Sequence, residues 1–362
     1  MSGVCVIAEA GVNHNGSLER ALALVDVAAE AGADVVKFQT FHSEALAAAH
    51  APKAAYQKRT TDGNESQLEM LKALELDVAA HRALIERAAA RGIEFLSTPF
   101  DFESLRVLDE ELGLSRLKIG SGELTNAPLL LAAARTGKPL ILSTGMATLD
   151  EIGVALGVLA FGYAGERAPS KQAFADALTG KGRAALQARV TLLHCTSAYP
   201  TPDTDMNLRA IRTLEEAFGL PVGLSDHSVG IEIAVAAPAA GARLIEKHFT
   251  LDRALPGPDH AASLEPDELA QMVRGIRRVS VALGDGEKRP RPSELGNIEI
   301  GRKSLVAARA IAKGENFSDE NLTVKRPGTG LAPIDYWELL GQPAPRAFAP
   351  DDLVTREGWD HG

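Results

Sequence analysis

The sequence predicts a (β/α)8 barrel followed by a small, mostly irregular or β module, and three observations carry that expectation. Short apolar runs alternate with longer amphipathic stretches that end near glycine, the pattern of βα units on a parallel sheet. Eight such runs fill the first 280 or so residues, close to the roughly 250 residues of an ordinary barrel. A stretch rich in Gly, Pro and charge, from Gly284 to Pro292, then separates them from a last segment with short β-like runs and no long helix.

The apolar runs lie at 4–8, 35–38, 93–96, 116–119, 139–142, 190–193, 221–224 and 244–245. Between them, 17–31 reads as a helix with Ser17 as N-cap and Gly32 as stop. Segment 148–159 opens with the capping-box pattern Thr148-Leu149-Asp150-Glu151. Further helices are expected at 67–91, 103–112, 128–135, 207–218, 231–240 and 266–283. Segment 160–188 exceeds what a helix-to-strand link needs and reads as a surface insertion with an extra helix near 171–178. The expected division is a barrel at 1–284, a linker at 285–303 and the small module at 304–362. A doubly wound open sheet is the competing arrangement, but no GxGxxG follows the first strand.

A length of 362 residues exceeds what one core fills, and 45% apolar with 24% charged residues is ordinary globular composition. The only cysteines, Cys5 and Cys195, are far apart and form no CxxC, which fits a reducing compartment without a disulfide framework or zinc knuckle. Met1 leads into an apolar stretch with no basic region, and no apolar run approaches the roughly 20 residues of a membrane span. A soluble, cytoplasmic protein is expected. A net charge of -10 argues against broad nucleic-acid binding, so an anionic ligand would need a local cluster of cations.

Active sites of such barrels lie at the carboxyl ends of the strands, and here those ends are polar. They are Glu9; Lys37 and Gln39; Ser97 and Thr98; Lys118, Ser121 and Glu123; Ser143 and Thr144; His194 and Thr196; Ser225 and His227; and Glu246 and His248. Residues two apart share a strand face, so Lys37 with Gln39, Ser225 with His227, and Glu246 with His248 can all point inward. His227 and His248, from neighbouring strands, either hold one divalent metal with positions left open or are hydrogen-bonded structural residues. Lys37 and Lys118 offer cations to a phosphate or carboxylate, with Ser121, Thr98 and Ser225 as hydroxyl donors; otherwise the lysines only form ion pairs. Glu9 is a proton-transfer or substrate-orienting carboxylate, or a partner of a lysine. Asn13-His14-Asn15-Gly16 reads chiefly as a turn into the first helix. Cys195 next to His194 makes no thiol–imidazole pair, because adjacent strand residues face opposite ways.

Taken in order, the motifs resemble the N-acetylneuraminate (sialic acid) synthase family across nearly the whole chain. They include Glu9-Ala10-Gly11-Val12-Asn13-His14-Asn15-Gly16, Val36-Lys37-Phe38-Gln39-Thr40, Ser97-Thr98-Pro99-Phe100 and Lys118-Ile119-Gly120-Ser121-Gly122-Glu123. Ser143-Thr144-Gly145-Met146, His194-Cys195-Thr196, Tyr199-Pro200-Thr201-Pro202, Leu224-Ser225-Asp226-His227 and Glu246-Lys247-His248-Phe249-Thr250 continue the series, and Pro256-Gly257-Pro258-Asp259 and Lys325-Arg326-Pro327-Gly328 end it. The resemblance implies a barrel with a C-terminal antifreeze-like (SAF) domain. It implies condensation of phosphoenolpyruvate with N-acetylmannosamine or a related 2,4-diacetamido hexose to a nine-carbon 2-keto acid, the family's range including legionaminic and pseudaminic acid synthases.

By the same matching, His227 and His248 would hold manganese, with magnesium or cobalt as alternatives. Lys37, Thr98, Lys118, Ser121 and Ser225 would bind phosphoenolpyruvate, beside Gln39. Glu9, Tyr199, Glu246 and Asp259 would line the sugar side, with Glu9, Lys37, Lys118 and Glu246 carrying the chemistry. Arg326 would come from the partner subunit of a domain-swapped homodimer. Ser197 stands where some members have asparagine, which leaves that phosphate contact open, and the 160–188 insertion resembles bacterial variants. The alternatives are another phosphoenolpyruvate-dependent synthase of this fold, against which the Lys325-Arg326-Pro327-Gly328 module speaks, and a non-catalytic sugar-binding protein.

Overall fold

A computed structural model of the chain describes residues 3–48, 51–53, 61, 65–166 and 168–357. Eight parallel strands form its main sheet: β1 (Cys5–Gly11), β2 (Val35–Thr40), β3 (Glu94–Pro99), β4 (Leu117–Ile119), β5 (Leu140–Ser143), β6 (Val190–Cys195), β7 (Val222–Asp226) and β8 (Leu244–His248). The order β3-β2-β1-β8-β7-β6-β5-β4 joins β1 to β8 and so curls the sheet on itself, while β3 and β4 lie side by side to close the cylinder. All eight runs read from the sequence become these strands.

Alternation along the strands divides the interior into two levels. Ile7, Val35, Leu96, Ile141, Leu193 and Leu244 form a buried aliphatic plug, each side chain contributing about 1.5–3 kcal/mol by leaving water. Two residues further along the same strands stand Glu9, Lys37, Thr98, Ser143, Cys195 and Glu246, so the plug is the floor of a polar cavity. The opposite strand faces pack against the helices in one larger apolar layer.

That layer follows from helical periodicity. In Leu18–Glu30, capped by the Ser17 hydroxyl, the buried residues are Ala21, Leu24, Val25 and Ala28. Helix Leu149–Ala164 starts on the Thr148/Glu151 capping box and runs past the expected end at 159 to Gly165, whose φ of 76° stops it. The expected helix at 67–91 is two, Gln67–Lys72 and Val78–Arg91, because Asp77 caps a second helix by accepting from the Ala80 N–H. The helix expected at 103–112 is Phe102–Arg106 followed by a π-helical turn, Val107–Glu111. The insertion carries Lys171–Asp176 and a second helix, Gly180–Arg189.

The chain divides into compact units at residues 1–284 and 285–362. Segment 285–303, expected as linker, belongs to the second unit and holds the helix Pro292–Gly301. Proline at its first turn and Glu294 reaching back to the Arg291 N–H explain why a Gly/Pro/charge-rich segment folds there. In the second unit β9 (Ser304–Ala307) pairs antiparallel with β10 (Leu322–Lys325) over a small core that includes Leu305, Phe317, Leu322, Phe348 and Val354.

One buried ion pair fixes the strands that carry the histidines. Asp226 and Lys247 lie in register on β7 and β8, fully buried on the face away from the cavity. Lys247 Nζ donates to Asp226 Oδ2 and to the Ser228 carbonyl, both at 2.8 Å. Lys247→Met strands the Asp226 charge and is expected to lower barrel stability by about 3–5 kcal/mol in urea unfolding. A loss below about 1 kcal/mol would show that the pair does not hold these strands.

Candidate active site

The polar ends of the strands enclose a cavity of about 340 Å³. Ladder register explains its assembly: Glu9 lies opposite Lys37 on one side and His248 on the other, Gln39 opposite Thr98, and Ser225 opposite Glu246. Glycines leave the space open. A Cβ on Gly11, whose φ is +52°, would crowd Glu9 Oε1, the His248 ring and Gln39 Nε2 at 3.2–3.5 Å. One on Gly145 would lie 2.4 Å from Ser197 Oγ and 2.8 Å from Ser121 Oγ.

The charges form one cluster. Glu246 stands between two lysines, 3.7 Å from Lys37 Nζ and 3.5 Å from Lys118 Nζ, and accepts from Ser225 Oγ at 2.9 Å. Lys37 also pairs with Glu9 and donates to Thr98 Oγ1 at 3.2 Å, while Lys118 donates to Ser143 Oγ at 2.8 Å. Burial opposes ionisation of all four groups, but their mutual attraction decides the outcome differently for each. Burial pushes the Glu9 carboxyl up to about 7 against the pull of Lys37. For Glu246 the two ammonium groups outweigh burial and hold the carboxyl down at about 2. Burial lowers Lys118, whereas Glu246 and Glu9 outweigh burial at Lys37 and raise it. Two cations thus face one firm carboxylate and one carboxyl that titrates near neutrality, so the cavity suits an added anion.

On the β7–β8 side the His227 and His248 rings stand 5.5 Å apart between centroids, with Tyr199 4.1 Å from His227 and edge-on to His248 at 5.8 Å. His227 Nδ1 donates to the Thr196 carbonyl at 2.8 Å, which orients the ring. His248 Nδ1 is buried without a hydrogen-bond partner, and burial together with His227 drives that imidazole well below its usual range, keeping it neutral. Asp259 Oδ2 lies 3.8 Å from His248 Nδ1, its carboxyl pushed up to about 6 by burial. Among the described residues no group of three His, Cys, Asp or Glu side chains forms a metal cage. Two ring nitrogens therefore fit a divalent ion only if water or substrate supplies its other ligands.

Of the residues singled out in the sequence, Glu9, Lys37, Gln39, Thr98, Lys118 and Ser121 line this cavity together with Ser197, Tyr199, Ser225, His227, Glu246 and His248. Asp259 abuts it through His248. Arg326 belongs to the second unit, exposed, with Nε donating to the Gly301 carbonyl at 3.1 Å, and no arginine is among the described residues that line the cavity. Five members of the expected polar ring point elsewhere. Ser97 bonds Thr40, Thr144 the Leu193 carbonyl, His194 the Met206 carbonyl, Thr196 the Asp205 carbonyl, and Glu123 Asn126. Cys195, dismissed as a partner of His194, faces inward with Sγ 3.8 Å from His227 Nδ1. Phe100, Ser143 and Met146 also line the cavity. Ser143 is in the expected polar ring, and period-two counting from Leu193 finds Cys195; Met146, which holds a left-handed φ of 63°, is marked only as the end of the Ser143-Thr144-Gly145-Met146 motif.

This fold and cavity define a (β/α)8 protein with a charged cavity at the strand ends, followed by a second compact unit. Residues 24–288 match the NeuB family and residues 302–357 the SAF domain. The N,N'-diacetyllegionaminic acid synthase of Campylobacter jejuni is 49% identical over 354 residues, 98% of this chain and 99% of the relative. That of Legionella pneumophila is 45% identical, over 93% of this chain and 89% of its own. A crystal structure of N-acetylneuraminic acid (sialic acid) synthetase from Leptospira borgpetersenii superposes with a TM-score of 0.66 at 37% identity, covering 82% of this chain and 91% of that one. The chain belongs to the NeuB family.

Gly145→Ala tests the reading of the cavity. The atoms nearest the added methyl are the side-chain ends of Ser197, Ser121 and Cys195, which can turn aside. Calorimetric titration with inorganic phosphate is expected to show binding weakened at least tenfold, with the unfolding temperature nearly unchanged; undiminished binding would place the anion elsewhere.

Proposed function

We propose that the chain condenses phosphoenolpyruvate with a 2,4-diacetamido-2,4,6-trideoxy hexose, giving a nine-carbon 2-keto acid of the N,N'-diacetyllegionaminic type and phosphate. The observation that carries the reaction is the buried lysine pair, Lys37 and Lys118, sharing Glu246 in the cavity beside the paired rings of His227 and His248. The choice of acceptor is supported by the relatives at 49% and 45% identity, both named N,N'-diacetyllegionaminic acid synthase. N-acetylmannosamine is the second acceptor to test. Other phosphoenolpyruvate-dependent synthases and a silent sugar-binding protein are not favoured, since the charged cluster is complete and the SAF domain is present.

In this reading Lys37 and Lys118 hold the carboxylate and phosphate of the enol ester, with Thr98, Ser121, Ser143 and Ser225 as neutral donors around them. His227 and His248 would hold a divalent ion, with manganese the first candidate and magnesium or cobalt next. When bound, such an ion polarises the carbonyl of the open-chain acceptor as a Lewis acid, worth several kcal/mol. The lysines fix the enol while its carbon 3 bonds to carbon 1 of the acceptor, whose carbonyl oxygen takes up a proton. Glu9 then faces the cationic carbon 2, stabilises it, and holds the proton released as water adds there. Lys118 holds the phosphate as the bond between carbon 2 and its oxygen breaks, leaving the keto group.

Tyr199, Asp259 and Glu246 would face the sugar. The exposed Arg326 would reach the acyl group from the second unit of another copy, implying a homodimer. Among the described residues no helix is long and apolar enough to cross a membrane, and both cysteines are free; we place the reaction in the cytoplasm.

Incubating manganese-loaded protein with phosphoenolpyruvate and each acceptor, then analysing by mass spectrometry, is expected to give the diacetamido keto acid. His248→Ala or prior chelation should abolish the product while phosphoenolpyruvate still binds in calorimetry. Intact phosphoenolpyruvate with both sugars would refute this function. Product from N-acetylmannosamine alone would keep the reaction and overturn the acceptor.

A further inference from the structure

The turn Asn13-His14-Asn15-Gly16 has no part in the reaction above, yet its side chains grip the loop that carries Asp259. Asn13 is buried, and its amide nitrogen donates twice: to the Phe249 carbonyl at 2.8 Å, directly after His248, and to Ser263 Oγ at 2.9 Å. The Ser263 hydroxyl in turn donates to the Asp259 carbonyl at 2.7 Å. On the other side of Asp259, His260 is pinned between Thr250 Oγ1 at 2.7 Å and Asn15 Oδ1 at 3.1 Å, while Asn15 Nδ2 donates to the Pro256 carbonyl at 2.8 Å. Asn13, Ser263, His260 and Thr250 are all buried, so water cannot replace these bonds without repacking. The Asn13 amide oxygen is left buried without a hydrogen bond. A side chain kept at that cost is one whose two donors, in a fixed plane, are needed together.

We propose that Asn13 is a positioning residue: it ties the end of β8 to the 259–263 turn and so sets the Asp259 carboxylate against the His248 ring. The proposal rests on the reading that Asp259 faces the acceptor sugar. The two ends of the cavity should respond separately, because Asn13 bonds the chain beyond β8, at Phe249 and the 259–263 turn, whereas Lys37 and Lys118 are held by Glu246, Thr98 and Ser143. Loosening the turn disturbs the acceptor side and leaves the anion side as it was.

The test is steady-state kinetics of the metal-loaded enzyme with both substrates varied, for Asn13→Ala, Ser263→Ala, their combination, Ser263→Thr and Asp259→Asn, with thermal melting as the check on folding. Asn13→Ala and Ser263→Ala are expected to raise the acceptor KM at least tenfold and to leave the phosphoenolpyruvate KM within twofold. The double variant should be no worse than the worse single one, since both act through one chain of bonds, and Ser263→Thr, which keeps the hydroxyl, should stay near wild type. If Asn13→Ala does not fold, the two Ser263 variants decide. An unchanged acceptor KM in the folded single variants, with Asp259→Asn raising it, would overturn the positioning role and leave the function standing. Equal rises in both KM values would also overturn it. No effect of Asp259→Asn would remove Asp259 from the acceptor site and the proposal with it.

Discussion

Two buried ammonium groups share one carboxylate at the carboxyl end of the barrel, and the charge of the cavity depends on that balance. Each buried ion costs several kcal/mol in lost hydration, while a pair of unit charges about 4 Å apart interacts by about 4 kcal/mol at the effective dielectric of such sites. Glu246, held ionised between Lys37 and Lys118, supplies that attraction to both lysines, and Glu9 adds to it at Lys37. The rest of the barrel keeps these groups where the sum holds. The aliphatic plug beneath sets their depth, register sets their neighbours, and the Asp226–Lys247 pair fixes β7 and β8 from behind.

An anion entering this cavity meets cations already desolvated and placed, so little reorganisation is needed to hold it. The same economy explains why a chain with net charge -10 can take an anionic substrate: what matters is the local excess of cations inside low-dielectric walls. Opposite the lysine side, the two histidines, Tyr199 and Asp259 give the cavity a second end of different chemistry. One end is dominated by charge, the other by imidazole, phenol and carboxyl groups.

Much of this was legible in the sequence, because a parallel strand writes its inward face every second residue. Lys37, Lys118, Glu246 and His248 could each be placed from that rule and a run of apolar neighbours. The rule misleads where consecutive polar residues end a strand: polarity alone marks His194 and Thr196 as inward, whereas Cys195 is the residue that faces the cavity. Asp259 and Arg326 lie outside any strand, and only the family resemblance singled them out. The break at Asp77 and the helix inside segment 285–303 were missed because a capping side chain and an N-terminal proline outweighed composition.

The central claim, that the shared lysine pair receives phosphoenolpyruvate, is tested most directly by calorimetric titration of that ligand into wild-type protein and Lys118→Met. Methionine keeps most of the side-chain length while removing the charge and the donor to Ser143 Oγ, and Glu246 retains Lys37 as its partner. Binding at least tenfold weaker, with a melting temperature no lower than wild type, is the expected result, since a charge-assisted bond contributes about 1.5–3 kcal/mol. Equal affinity in a folded Lys118→Met would contradict it.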